Sequence, residues 1–394
     1  MTKPIKVGIT HGDINGIGYE VILGALGAEG LTDLCTPVIF GHHALAEKAR
    51  KLLGLEEVRL FKAPNAAAAQ PGRISVVEIA KELPEHNPGE PTQASGMSAA
   101  AALDMAVNAL QSGEIDVLVT APISKEAIQS ETFSFPGHTE YLESVAGEGY
   151  KARMILFDDY IRVALVSTHL PVARVAEAVT RESVAEAIES LRVSLKQDFG
   201  FERPRIAVLS LNPHAGDGGL LGSEEKEVIT PVIEEARDNG TLAFGPYAVD
   251  GFFGSGDYRR FDGIVAMYHD QGLAPFKALA GERGVNFTAG LPFVRTSPDH
   301  GTAFPIAWKG KADPTSMREA IYKAIDIFRT RGRFLESSSN PLRKLVTERP
   351  DKGERQDKAP ARERQIKETR PPKERQEPAE TQEPADNPKE TEEQ

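Results

Sequence analysis

A single cysteine, Cys35, stands in 394 residues, so no intramolecular disulfide and no cysteine-based zinc module can form. That suits a reducing compartment. Positive charge is also short: 46 Lys and Arg face 58 Asp and Glu, for a formal net charge of −12. A surface of that balance does not neutralise phosphates generally, so no nucleic-acid partner is expected. Long apolar runs are missing, since nothing approaches the roughly 20 residues of a membrane span and MTKPIKVGITHGD is no signal peptide. A cytoplasmic protein without a membrane partner is the expectation. The usual nucleotide fingerprints are absent too, because GDINGIG spaces Gly12, Gly16 and Gly18 wrongly for G-x-G-x-x-G. No internal repeat is visible.

What is there alternates. The segments KVGIT, PVIFG, ISVVEI, DVLVTAP, MILFDD, IRVALVST, RIAVLSL, DGIVAMY and GVNFTAG read as strands. Helical patterns lie between them, most clearly over residues 93–111, 181–197, 223–238 with a possible kink at Pro231, and 314–331. This alternation implies crossover units and an α/β fold built on a largely parallel sheet. Ligands of such sheets gather at the carboxyl ends of strands.

Composition shifts near Ser337. Residues 351–394 hold 13 acidic and 10 basic side chains and 6 prolines, with Ile366 the one large aliphatic and no aromatic. Ordering such a segment costs about 1–2 kcal/mol per residue in backbone entropy, with little apolar surface to offset it. The expected organisation is a two-lobed unit over 1–336 and a disordered, charged, proline-rich tail over 337–394.

Three histidines repeat one arrangement, an apolar run followed by a polar step: IRVALVSTH ends at His169, RIAVLSLNPH at His214, DGIVAMYH at His269. Any one alone is most simply a hydrogen-bonded structural residue. Together they predict a shared divalent metal assembled over long range, because neutral imidazoles suit such ions and three of them leave an open position. The pattern alone does not choose between polarising a substrate oxygen and activating water. In PGHTEYL, His138 and Thr139 stand at an expected helix start, where they either meet an anion or simply cap the helix. Lys277, Asn286 and Arg295 follow in YHDQGLAPFK, GVNFTAG and GLPFVRTS. Two cations and an amide suit a substrate carrying carboxylate and phosphate.

In order along the chain, THGDINGIG, PGHTEYL, STHLPV, LNPHAGDGG, YHDQGLAPFK and GLPFVRTSPDHGTA resemble the 4-hydroxythreonine-4-phosphate dehydrogenase family of pyridoxal phosphate biosynthesis, over about residues 5–330. The resemblance implies the fold of isocitrate and isopropylmalate dehydrogenases, two lobes around a mostly parallel sheet, in a homodimer with its active site at the interface. It makes His169, His214 and His269 ligands of zinc, cobalt or magnesium, at least one of them given by the partner subunit. His138, Thr139, Lys277, Asn286 and Arg295 become substrate contacts. Lys277 is also the candidate for proton transfer on chemical grounds, because a lysine beside a cation can have a lowered pKa. The implied reaction is oxidation of 4-phosphooxy-L-threonine by NAD or NADP to 2-amino-3-oxo-4-phosphooxybutyrate, which decarboxylates to 3-amino-2-oxopropyl phosphate.

The segment from Asp299 to Pro314 looks like the loop that related decarboxylating dehydrogenases wrap around adenosine, which makes His300, Gly301, Thr302 and Ala303 cofactor contacts. Asn15, Phe304, Pro305 and Trp308 depart from the family pattern. Asn15 stands for the alanine of Pro-Ala-Gly-Ile-Gly, and Trp308 for a small residue. The alternatives are a dehydrogenase of D-threonate or D-erythronate 4-phosphate, and a three-histidine metal-dependent hydrolase or lyase that needs no nicotinamide.

Overall fold

The computed structural model describes residues 4–131 and 133–340. The expected tail falls largely on 341–394, outside the described residues. Helix Thr315–Ser339 carries three residues of it, running past 331 and past 336.

One sheet of twelve strands organises the described chain: β1 (Ile5–Thr10), β2 (Cys35–Gly41), β3 (Leu60–Ala63), β4 (Ile74–Glu78), β5 (Val117–Thr120), β6 (Arg153–Phe157), β7 (Arg162–Leu165), β8 (Arg205–Leu209), β9 (Leu242–Tyr247), β10 (Gly263–Ala266), β11 (Val285–Ala289) and β12 (Val294–Pro298). Their spatial order is β3-β4-β2-β1-β5-β12-β11-β6-β7-β10-β8-β9. The α/β class and the mostly parallel sheet are as the sequence implies. Inner strands such as β1, β2 and β5 are buried along their whole length. Helices cover both faces, which is why these strands read as continuous apolar runs rather than alternating ones.

Three consecutive pairings are antiparallel: β12 with β11, β11 with β6, and β6 with β7. Three reversals leave the two parallel halves running in opposite directions. Their carboxyl ends therefore lie at opposite edges of the sheet, and only loops that fold in over the central strands can meet one ligand from both halves.

Two helices start with reciprocal caps that place serine third. Thr92 accepts from the Ser95 N–H while Ser95 Oγ accepts from the Thr92 N–H, and Thr180 and Ser183 repeat this. Such a cap is worth about 1 kcal/mol. Helices Gln93–Gln111 and Arg181–Gln197 match the sequence periodicity to the residue. The 223–238 segment instead opens with a π-helical turn, Glu225–Ile229, before helix Thr230–Asp238. Pro231 follows the π-helical turn within one helical run continuous from Glu224 to Asp238, so its missing N–H leaves a carbonyl of that turn without its intrahelical partner.

Candidate active site

A cavity of about 240 Å³ opens where the oppositely directed halves meet. From the β5 side come Thr120 and the loop with Lys125; from β12 and its exit come Arg295, Ser297, His300 and Gly301. Asn286 of β11 and Met154 of β6 line it as well, and His169 arrives from the loop after β7. His138, Thr139 and Glu140 bring the start of helix His138–Ala146 to its wall. Thus His138, Thr139, Asn286, Arg295, His169, His300 and Gly301, distant in sequence, share one space. Lys125, Glu140, Thr120 and Ser297 were not anticipated. A polar residue just past the apolar run DVLVTAP is the signal that would have found Lys125.

Arg295 dominates the chemistry. It is 3% exposed, and its guanidinium donates to Thr120 Oγ1 at 2.5 and 3.1 Å and to Thr288 Oγ1 at 2.9 Å. It pairs with no carboxylate among the described residues, and burial pulls its pKa down to about 9 against the opposing field of Glu140. A cation buried on hydroxyls alone remains short of countercharge. Three further polar atoms in the cavity wall are buried without a hydrogen-bond partner: His138 Nε2, Asn286 Oδ1 and His300 Nε2. Unpaired groups of this kind are rare in folded proteins unless something else satisfies them. Burial first, then the charges of Arg295 and Lys125, hold His138 well below the ordinary histidine range, so at neutral pH its ring is uncharged. Burial also lowers His300.

Lys277 lies one step behind this wall. From helix His269–Ala280 its Nζ donates to Asp299 O at 2.8 Å and Asp299 Oδ1 at 2.9 Å, beside His300. Burial raises the Asp299 pKa, with the Lys277 contact opposing it.

The three strand-end histidines share one rim, because β7, β10 and β8 are adjacent and mutually parallel. The His169 and His269 rings lie 6.2 Å apart, centroid to centroid. His269 Nδ1 is 2.7 Å from Asp270 Oδ1, an arrangement that places the ring proton on Nδ1 and leaves the Nε2 lone pair free for a ligand. His214 stands apart, in a left-handed turn where six consecutive residues, 214–219, have positive φ. Within the chain, no group of three or more His, Cys, Asp or Glu placed to hold a metal ion occurs among the described residues. The chain brings two of the expected ligands together and holds the third on the same rim, a donor set of imidazoles that fits a divalent transition ion in kind.

The segment expected to meet the cofactor borders the same cavity through His300 and Gly301. Beyond them the Thr302 carbonyl accepts from Ile17 N–H at 3.0 Å, and Ala303 is left-handed at φ 46°. The turn after β1 and the turn after β12 are therefore one structure.

Comparison with known proteins extends this picture. The family model described as pyridoxal phosphate biosynthetic protein PdxA matches residues 33–324. A 4-hydroxythreonine-4-phosphate dehydrogenase of Bacteroides thetaiotaomicron is 53% identical over 351 residues, 89% of this chain and 96% of that protein. A D-threonate 4-phosphate dehydrogenase of Pectobacterium atrosepticum is 38% identical, covering 82% of this chain and 98% of the relative. Among solved structures, a 4-hydroxythreonine-4-phosphate dehydrogenase from Klebsiella pneumoniae superposes with a TM-score of 0.71 at 34% identity, over 82% of this chain and 98% of that one.

Proposed function

Since the chain belongs to the PdxA family of pyridoxal phosphate biosynthetic proteins, we propose that it oxidises 4-phosphooxy-L-threonine with NAD or NADP, and that 2-amino-3-oxo-4-phosphooxybutyrate so formed decarboxylates to 3-amino-2-oxopropyl phosphate. The observation that carries this reading is the buried Arg295, without a carboxylate partner in a cavity of unpaired polar atoms.

The cavity matches that substrate charge for charge. Phosphate and carboxylate find Arg295 and Lys125, the ammonium finds Glu140 and the Asn286 carbonyl oxygen, and neutral His138 offers Nε2 to an oxygen. The acceptors for an ammonium favour the amino acid over D-threonate or D-erythronate 4-phosphate, whose C2 carries a hydroxyl. Thr120 and Thr288 fix the guanidinium so that little side-chain freedom is lost when the anion arrives.

His169, His214 and His269 would hold a divalent ion in a homodimer in which the partner subunit completes the set. When bound, that ion supplies Lewis-acid polarisation of an oxygen, and the nicotinamide supplies a hydride acceptor. Lys277 Nζ, as the neutral amine, takes the proton of the reacting hydroxyl and becomes the ammonium that the Asp299 carboxylate pairs. His300, Gly301, Thr302 and Ala303 contact the cofactor. Exposed Val172 at 77% and Leu220 at 80% flank His169 and His214, and a second copy of the chain would cover them. A cytoplasmic location accords with a soluble substrate.

The test is absorbance-monitored reduction of NAD and NADP by the purified protein, offered each of the three 4-phosphates with and without chelator. Chelator-sensitive turnover of 4-phosphooxy-L-threonine is expected. Turnover of the hydroxy acids alone would move the enzyme to sugar-acid oxidation, and reduction with none of them would favour a water-activating metalloenzyme.

A further inference from the structure

Asn15 and Trp308 are 293 residues apart in sequence and belong to one closed ring of contacts. Trp308 is left-handed at φ 57°, a strained conformation for a non-glycine residue that persists only when its surroundings hold it. Four contacts hold it. The Glu20 carboxylate accepts from the Trp308 and Gly310 N–H groups, and the indole Nε1 donates to Ile14 O at 2.8 Å. The His86 ring meets the indole edge-on with centroids 4.5 Å apart, and Lys48 Nζ lies 5.1 Å from its centroid.

Asn15 ties the segment carrying His86 to the same turn. It is fully buried. Its Oδ1 accepts from Asn87 N–H at 2.8 Å, its Nδ2 donates to Glu90 O at 2.9 Å and Thr92 Oγ1 at 3.2 Å, and its backbone oxygen accepts from Gly89 N–H at 2.8 Å. On the other side Gly16 presses against the 302–310 segment: a Cβ there would lie 2.9 Å from Thr302 O. Alanine at 15 would release three side-chain hydrogen bonds and with them the placement of His86 against the indole.

We propose that Asn15 and Trp308 are positioning residues, the two ends of a clasp that fixes segment 302–310 in its cofactor-receiving shape before the nucleotide binds. This rests on the reading of that segment as part of the NAD(P) site. The clasp acts by preorganisation, so breaking it raises the cofactor KM far more than it lowers kcat.

Trp308 is the only tryptophan, so its fluorescence reports the clasp directly. In the full-length protein without nucleotide, Asn15→Ala is expected to raise acrylamide quenching of Trp308 about twofold and shift its emission to the red, as a loosened indole meets water. Titration with NADH and NADPH then reads binding, because reduced nicotinamide absorbs where tryptophan emits. The parent is expected to be quenched by at least one of them, and Asn15→Ala and Trp308→Phe to raise cofactor KM about tenfold, with the double variant well short of additive.

His86→Ala cuts the same ring at a half-exposed point and serves if Asn15→Ala does not fold. If the parent binds reduced nucleotide and both Asn15→Ala and His86→Ala keep the parent's quenching and KM, the clasp is wrong while the cofactor site stands. A parent that neither nucleotide quenches removes the cofactor reading and the proposal with it.

Discussion

Arg295 shows how one residue can be a liability to the empty protein and an asset to the occupied one. Its charge is buried on two threonine hydroxyls, and an anion in the cavity would relieve it. Inorganic phosphate should therefore raise the melting temperature, in line with about 2.7 kcal/mol at a hundred times its Kd. Arg295→Met should abolish that gain while leaving the unliganded protein as stable as the parent or more so. A differential scanning measurement in phosphate and in an uncharged buffer checks both. An equal phosphate shift in parent and variant would place the anion elsewhere.

His11 makes the opposite case, a residue whose cost appears in acid. It is fully buried, its ring 3.4 Å from Ser98 Oγ, and burial with the nearby His42 lowers its pKa to about 3. The unfolded chain takes up a proton below about pH 6.5, whereas the folded one resists until about 3. Stability present above 6.5 is thus lost as pH falls through that window, at a limit of about 1.4 kcal/mol per pH unit. Urea unfolding between pH 4 and 7 should show a shallower pH slope for His11→Gln than for the parent. Identical slopes would mean that other groups carry the acid transition.

Among the elements, the residues leading into the left-handed turn are held by two carboxylates, Glu224 on Asn212 Nδ2 and, with more contacts, Glu225. Glu225 Oε1 accepts from the Leu211 and Asn212 N–H groups at 2.8 and 2.7 Å, and its Oε2 meets Asn212 Nδ2 at 2.9 Å. Glu225→Ala would leave two backbone donors unpaired, at about 1–3 kcal/mol each, and let the run of positive φ relax. The expected outcome is a loss of roughly 2–4 kcal/mol in denaturant unfolding, with Glu225→Gln between parent and alanine. A change within 0.5 kcal/mol, the level of an ordinary surface substitution, would contradict that role.

The elements also show what the sequence could say. Nine strands were legible because burial on both faces turns them into apolar runs. β12 was not, since VRTSP is polar in composition yet buried throughout: Arg295 serves the cavity, and Thr296 Oγ1 donates to Ala320 O at 2.7 Å. β3 is a short, half-exposed edge strand, and β9 contains Gly245-Pro246, so neither carries the usual signal. Most of the cavity was legible as residue types at strand ends. That His169 and His269 meet while His214 sits in a separate turn depends on tertiary placement, and spacing along the chain cannot give it.

On the scale of the whole molecule, family membership and the twelve-stranded α/β architecture are established, and no helix among the described residues is long and apolar enough to cross a membrane. The proposed dimer ties assembly to metal binding. Leu220→Asp should shift the protein toward monomer in sedimentation velocity and lower bound metal in parallel, because a charge on an apolar contact cannot be buried unpaired. Retention of both would separate the metal from the assembly.

The Arg295 cavity is proposed to receive the phosphorylated hydroxy amino acid and present it for oxidation. The most direct measurement is kcat/KM for 4-phosphooxy-L-threonine in parent and Arg295→Met, with NADH quenching of Trp308 as the control for an intact cofactor site. The variant should lose at least about a hundredfold, equivalent to about 2.7 kcal/mol, with quenching retained. Turnover within about twofold of the parent would contradict it.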